Sequence, residues 1–278
     1  MTASARKKLL FSVSVLVLLV GWRMDAGAQP TTIITNVTVI SGATAAPQPG
    51  MTVTVRNGRI ASIERGAPVS TSANVIDGSG KFLMPGLWDM HVHLTLATDL
   101  AAPLMLAAGV TGARDMGGDL ATVDWLRRRI EHGDVAGPRV FRAGPLVDGN
   151  KPGVPNRVVI ASAAEARRAA ALLREHGVDF IKVHNGAPPE PYFALLAEAR
   201  RLGMRVTGHI PLEVDPMQAI DSGHYSIEHI VSLFEGPVTQ KTKTGKTQEQ
   251  AIAEFTDDDA RRSRGAWLPE ERGSTLRS

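Results

Sequence analysis

From Pro85 onward the chain repeats one unit: a short apolar run with strand periodicity, then a longer stretch with helical periodicity. "GLWDMHVHL" leads into helical "LAAPLMLAAG", "VTGAR" into "LATVDWLRRRIEHG", and "RVFRAG" is followed by "SAAEARRAAALLREHG", where Ser162 and Glu165 form a capping box and Gly177 stops the helix. "DFIKVH", helical "PEPYFALLAEARRLG", "RVTGHI", helical "PMQAIDSG" and "YSIEHI" continue the pattern. Six strands separated by helices imply a parallel sheet, either open and doubly wound or closed as an eight-stranded barrel. Polar placement favours the barrel. His91, His93, Arg114, Lys182, His184, His209 and His229 fall at or near the C-terminal ends of their strands, the face on which barrels build sites, whereas an open sheet gathers them at one switch point. No glycine-rich phosphate loop follows the first strand, which weakens a nucleotide-binding reading.

Ahead of that repeat, residues 31–83 carry short β-type runs with Asn57-Gly58 marking a tight hairpin. Residues 1–28 have Arg6, Lys7 and Lys8 before an apolar run from Leu9 to Val20, then Ala26-Gly27-Ala28 before Gln29. This is the layout of a secretory signal peptide and implies a secreted or periplasmic protein, with membrane contact only through an uncleaved segment. Removing Arg6, Lys7, Lys8 and Arg23 together with Asp25 leaves 27 basic and 27 acidic residues, so the basic excess disappears. A nucleic-acid-binding reading loses its electrostatic footprint. The absence of cysteine excludes thiolate ligands and a cysteine nucleophile, leaving His, Asp, Glu or a modified Lys to build any metal site.

His91-Val92-His93 puts two imidazoles on one face of a strand, about 7 Å apart by strand rise, within reach of a single cation. Alone, the pair also describes two partly exposed histidines at a strand end. His209 and His229, in equivalent positions on later strands, turn the pair into a cluster, and clustered ligands point to metal. Strict alternation places Phe180, Lys182 and His184 on one strand face. Burial beside cations lowers a lysine toward its neutral amine, which can take up carbon dioxide and become an anionic carbamate. A lysine paired to a barrel carboxylate is the alternative.

"FLMPGLWDMHVHL", "GVTGARDMGG", "DFIKVH", "VTGHI" and "SIEHI", in this order from about Thr31 to Ile230, resemble the metal-dependent amidohydrolase superfamily, especially its imidazolonepropionase-like and Xaa-Pro-dipeptidase-like members. The resemblance implies a distorted (β/α)8 barrel, here an incomplete TIM-like barrel with six visible strands, preceded by a small β-sandwich subdomain. It implies hydrolysis of amide or other C–N bonds in a small cyclic-amide or dipeptide-like substrate, with one or two divalent ions, usually zinc. His91 and His93 would hold the first metal and His209 and His229 the second. Lys182, carboxylated by carbon dioxide, would bridge them, and His184 would touch substrate. Arg114-Asp115 matches a pair for which a structural role in the barrel mouth is expected. His224 reads as a loop residue. His132 and His176 end helices before glycines, where the helix dipole accounts for them.

In the mechanism the resemblance implies, metal-activated hydroxide attacks the scissile carbonyl, and an aspartate at the end of the eighth strand moves the proton. No such catalytic aspartate is assignable here. The expected organisation is a signal peptide at 1–28, the first part of the sandwich at 29–84, a partial barrel at 85–255 and a charged non-barrel tail at 256–278, with ten charged residues in the 23 from Thr256. Six strands leave a barrel with two open edges, so the expectation is a frameshifted or truncated chain, inactive or nearly so alone. A metal-binding scaffold without catalysis and an exported binding protein on an open sheet are the competing classes.

Overall fold

The computed structural model describes residues 31–42, 46–66, 73–96, 100–150 and 156–230, together with 232, 233, 236 and 245. The expected signal segment at 1–28 and the charged tail at 256–278 lie outside them. Contacts divide the chain after Pro85 into two compact units.

The first unit is a single mixed sheet. Strands β1 (Thr32–Val39), β2 (Gln48–Arg56) and β3 (Arg59–Arg65) run antiparallel, while β4 (Asn74–Asp77) and β5 (Phe82–Leu83) pair parallel to β1. The β2–β3 hairpin turns on Asn57 and Gly58, with φ of 51° and 69°. Two consecutive left-handed residues match the twist of the flanking strands, which is why Asn-Gly signals this turn. Val37, Val39, Met51 and Val53 form its core. Among the described residues this unit has one sheet, where a sandwich has two.

The second unit alternates as expected. β6 (Leu87–Val92), α1 (Ala101–Ala107), β7 (Val110–Asp115), α2 (Leu120–His132) and β8 (Arg139–Arg142) build a parallel sheet in the order β6-β7-β8. β9 (Leu146–Asp148), β10 (Arg157–Val159), α3 (Ala163–Glu175), β11 (Ile181–Val183), α4 (Pro189–Arg201), β12 (Val206–Gly208), α5 (Pro216–Asp221) and β13 (His224–Ile227) build a second, ordered β10-β9-β11-β12-β13. All its pairings are parallel. A backbone bond from Asp179 N–H to the Arg142 carbonyl, 2.9 Å, ties the two sheets together. All six expected strands are present, and two three-residue strands, β9 and β10, join them.

Periodicity explains the helix packing. In α3 the buried residues are Ala166, Ala169, Ala170 and Leu173; in α4 Tyr192, Leu195, Leu196 and Ala199 are buried, together with Pro191 in the first turn. Apart from Pro191, both sets follow i, i+3, i+4, i+7, the stripe of an amphipathic helix, and the two helices pack together. Each buried leucine contributes about 1.5–3 kcal/mol. Ser162 caps α3 by accepting from Glu165 N–H at 3.3 Å, and the Glu165 carboxylate accepts from Ala161 N–H at 2.8 Å. Among the described residues no helix is long and apolar enough to cross a membrane.

Candidate metal centre

Lys182 is the middle residue of β11, whose three residues are all buried, as expected for a strand with apolar neighbours on both faces. It is 1% exposed. Gly208 on β12 makes room for it: a β-carbon there would lie 2.2 Å from the Val183 carbonyl oxygen and 2.9 Å from Lys182 Cδ, at a φ of 127° that side-chain-bearing residues avoid. Desolvation lowers the Lys182 ammonium to about 8, with the Glu228 carboxylate opposing the shift and Arg114 assisting it. The ammonium still predominates at neutral pH, with a minority of neutral amine in equilibrium with it.

Imidazoles from three further strand ends pack into one connected group. Ring centroids are separated by 5.3 Å for His91–His93, 4.4 Å for His91–His229 and 5.1 Å for His209–His229. His184 stacks on His209 at 4.5 Å, and its Nδ1 lies 3.2 Å from Asp148 Oδ2 at the end of β9, a carboxylate also paired with Arg157. The structure thus gathers His91, His93, His209, His229 and His184 in one ring network. Lys182 adds electrostatically, its charge helping to lower the pKa of both His91 and His209.

The tautomers follow from the partners. His93 Nδ1 is 2.7 Å from the Gly117 carbonyl, an acceptor only, so Nδ1 carries the hydrogen and Nε2 keeps its lone pair. His91 Nδ1 is 2.9 Å from Glu228 Oε2, with the same consequence where that carboxylate is ionised. Burial lowers His91, against the pull of Glu228, and lowers His209 to about 3, with Lys182 and the neighbouring histidines adding to the effect. These are neutral imidazoles at neutral pH, the protonation state that binds metal.

The donors suit a divalent ion. Among the described residues, the buried His209 Nδ1 has no hydrogen-bond partner, a state that a native interior rarely tolerates without a ligand, ion or water. Imidazole nitrogens form a borderline donor set of the kind divalent transition metals take. The set is assembled but not closed: among the described residues, no group of three or more His, Asp or Glu side chains stands at metal-ligand spacing.

Arg114 and Asp115 frame this cluster. Asp115 is fully buried and accepts from Leu94 N–H at 2.7 Å and Gly117 N–H at 3.2 Å, fixing the chain after β6 and the turn whose carbonyl holds His93. Burial raises its carboxyl, and those two backbone bonds oppose the rise. Arg114 Nη2 donates to Glu228 Oε1 at 2.8 Å. Sequence reasoning missed two buried carboxylates, Glu228 and Asp148. The residue after Glu228 explains one omission: His229 has a φ of 61°, so strand alternation fails there, and no glycine announces it.

His224 corrects an expectation. It opens β13 rather than lying in a loop, and its ring is buried, with Nε2 3.3 Å from the Gly208 carbonyl and Nδ1 3.0 Å from the Tyr192 hydroxyl.

No family model matches the chain. It is 52% identical over 42 residues to a dihydroorotase of Trichlorobacter lovleyi, covering 15% of this chain and 10% of that protein. It is 37% identical over 94 residues to an imidazolonepropionase of Myxococcus xanthus, covering 31% and 22%. Among solved structures, a putative prolidase from Bifidobacterium longum superposes with a TM-score of 0.63 at 22% identity, covering 85% of this chain and 68% of that one. Over those segments the chain is similar to these two enzymes, and the structural likeness shows the fold. The matched segments span about a tenth to a fifth of the two curated relatives. In the TIM-barrel fold of these structural neighbours, the strand ends described above are the expected location of a site.

Proposed function

We propose that the chain carries the metal centre of a hydrolase acting on amide or related C–N bonds of a small cyclic-amide or dipeptide-like substrate. The observation that carries this reading is the convergence of His91, His93, His209 and His229 near a lysine that is 1% exposed, with the buried His209 Nδ1 lacking a hydrogen-bond partner among the described residues. When bound, a divalent ion supplies a water that ionises near neutral pH and polarises the scissile carbonyl. His91 and His93 would hold one ion and His209 and His229 another, zinc suiting these donors best. Lys182 would hold both as its carbamate: the neutral Nζ adds to the carbon of carbon dioxide and one proton leaves to solvent. His184, fixed beside Asp148 and stacked on His209, would meet the substrate from the β11 side.

The test is a substrate panel of Xaa-Pro dipeptides, N-acyl amino acids and cyclic amides, run with zinc-, manganese- and cobalt-loaded protein. Turnover that chelator abolishes supports the reading, as does its loss in Lys182→Ala with partial restoration by added small carboxylates. Stoichiometric metal without turnover on any class would leave a metal-binding scaffold instead. We also infer export from the basic-apolar-small pattern of residues 1–28. Protein recovered from outside the cytoplasm should begin at Gln29, and an intact Met1 would contradict export by cleavage.

A further inference from the structure

We propose that Glu228 is a positioning residue: clamped by Arg114, its carboxylate fixes the His91 ring with Nδ1–H turned to Glu228 and Nε2 left bare for a cation. This rests on the metal-centre reading above and adds a residue that the ligand pattern does not contain.

Both carboxylate oxygens are committed. Oε2 faces His91 Nδ1 at 2.9 Å, while Oε1 accepts from Arg114 Nη2 at 2.8 Å and from Ser226 Oγ at 3.2 Å. The backbone is pinned too: Glu228 N–H donates to the Gly208 carbonyl at 2.8 Å, and its own carbonyl accepts from Ser232 Oγ at 2.8 Å. Arg114 is held in turn, with its guanidinium 5.1 Å from the centroid of the Phe180 ring, which clusters with Met116 and Ala143. The chain of constraint therefore runs from an apolar cluster through Arg114 and Glu228 to His91. The left-handed backbone at His229 lets adjacent residues serve the same site, Glu228 through its carboxylate and His229 through its ring. A carboxylate so engaged is poorly placed to ligate or to deliver a proton. It suits the role of the hydrogen-bond acceptor that fixes a ligating histidine's tautomer and orientation.

Cobalt titration followed by visible absorption, on wild type, Glu228→Gln, His91→Ala and the double variant, tests this. Gln retains the shape but cannot accept from His91 and Arg114 together without turning its amide donors on one of them. Cobalt affinity should fall about 10–100-fold in Glu228→Gln, with an altered cobalt spectrum, and the same change should have no further effect in the His91→Ala background. Wild-type affinity in Glu228→Gln, or an equal loss with and without His91, overturns the proposal, the second result marking Glu228 as a ligand or a fold determinant. The nitrogen-15 shifts of His91 in metal-free wild type give a readout that needs no variant: Nδ1–H is expected, and Nε2–H overturns the proposal. Wild type that takes up no cobalt removes the metal reading itself, whereas wild type that binds while Glu228→Gln matches it removes only the role of Glu228.

Discussion

His209 follows β12 and His224 opens the neighbouring β13; His209 is half-buried and His224 buried, and burial is the leading cause that lowers their pKa values to about 3 and about 4. Their nitrogens separate them. His224 has partners for both, the Tyr192 hydroxyl and the Gly208 carbonyl, in the layer where β13 meets α4. His209 faces other imidazoles. Burial is the leading cause of the lowered pKa at both, so a depressed histidine pKa does not by itself identify a site. Polar satisfaction separates them: both His224 nitrogens have protein partners, while among the described residues His209 Nδ1 has none, as the proposed metal centre requires.

The comparison breaks if the two histidines respond alike to removal. His209→Ala should lower divalent-metal affinity by about 100-fold or more, the outer range for losing an element of a metal site, while the urea midpoint of metal-free protein stays close to wild type. His224→Ala should do the reverse. It should cost about 3 kcal/mol, since it opens a cavity and strands the Tyr192 hydroxyl, with metal stoichiometry unchanged in the folded fraction. Equilibrium dialysis and urea unfolding on both variants would show the crossing.

A milder pair sharpens it. Tyr192→Phe removes the donor to His224 Nδ1 and should cost about 1–2 kcal/mol without affecting metal. Lys182→Met replaces a buried amine with a chain of similar length and should stabilise metal-free protein by about 1 kcal/mol, while losing the bridging position. Opposite signs in the denaturation midpoints would separate the two regions.

The pH dependence is the most gradual test. His209 and His224 fold with pKa values below the ordinary 6.5, so between about 3 and 6.5 the unfolded chain binds more protons than the native one, and stability rises with pH through that window. Metal-free protein should therefore lose thermal stability steadily as pH falls below 6.5. His224→Ala should flatten part of that slope, measured relative to its own stability at neutral pH.

Much of this was legible in the sequence because strand ends are marked twice, by apolar periodicity before them and by helix caps after them. His91, His93, Lys182, His209 and His229 fall where that grammar places them. β9 and β10 were not legible, since three residues between Pro145 and Ile160 carry no period. Glu228 was hidden by the alternation rule, which assigns it and His229 to opposite faces until a φ of 61° intervenes. His224 follows Gly223 and reads as loop, because its partner Tyr192 lies 32 residues away.

The central claim is that the His91, His93, Lys182, His209 and His229 cluster is a divalent-metal centre. Elemental analysis of folded protein, purified without chelator and dialysed against metal-free buffer, tests it most directly. The expected result is about one to two equivalents of zinc or a related ion, as a one- or two-metal site requires, falling sharply in His209→Ala and unchanged in Tyr192→Phe. A cooperatively folded wild type that retains no metal and takes up none on addition would contradict it.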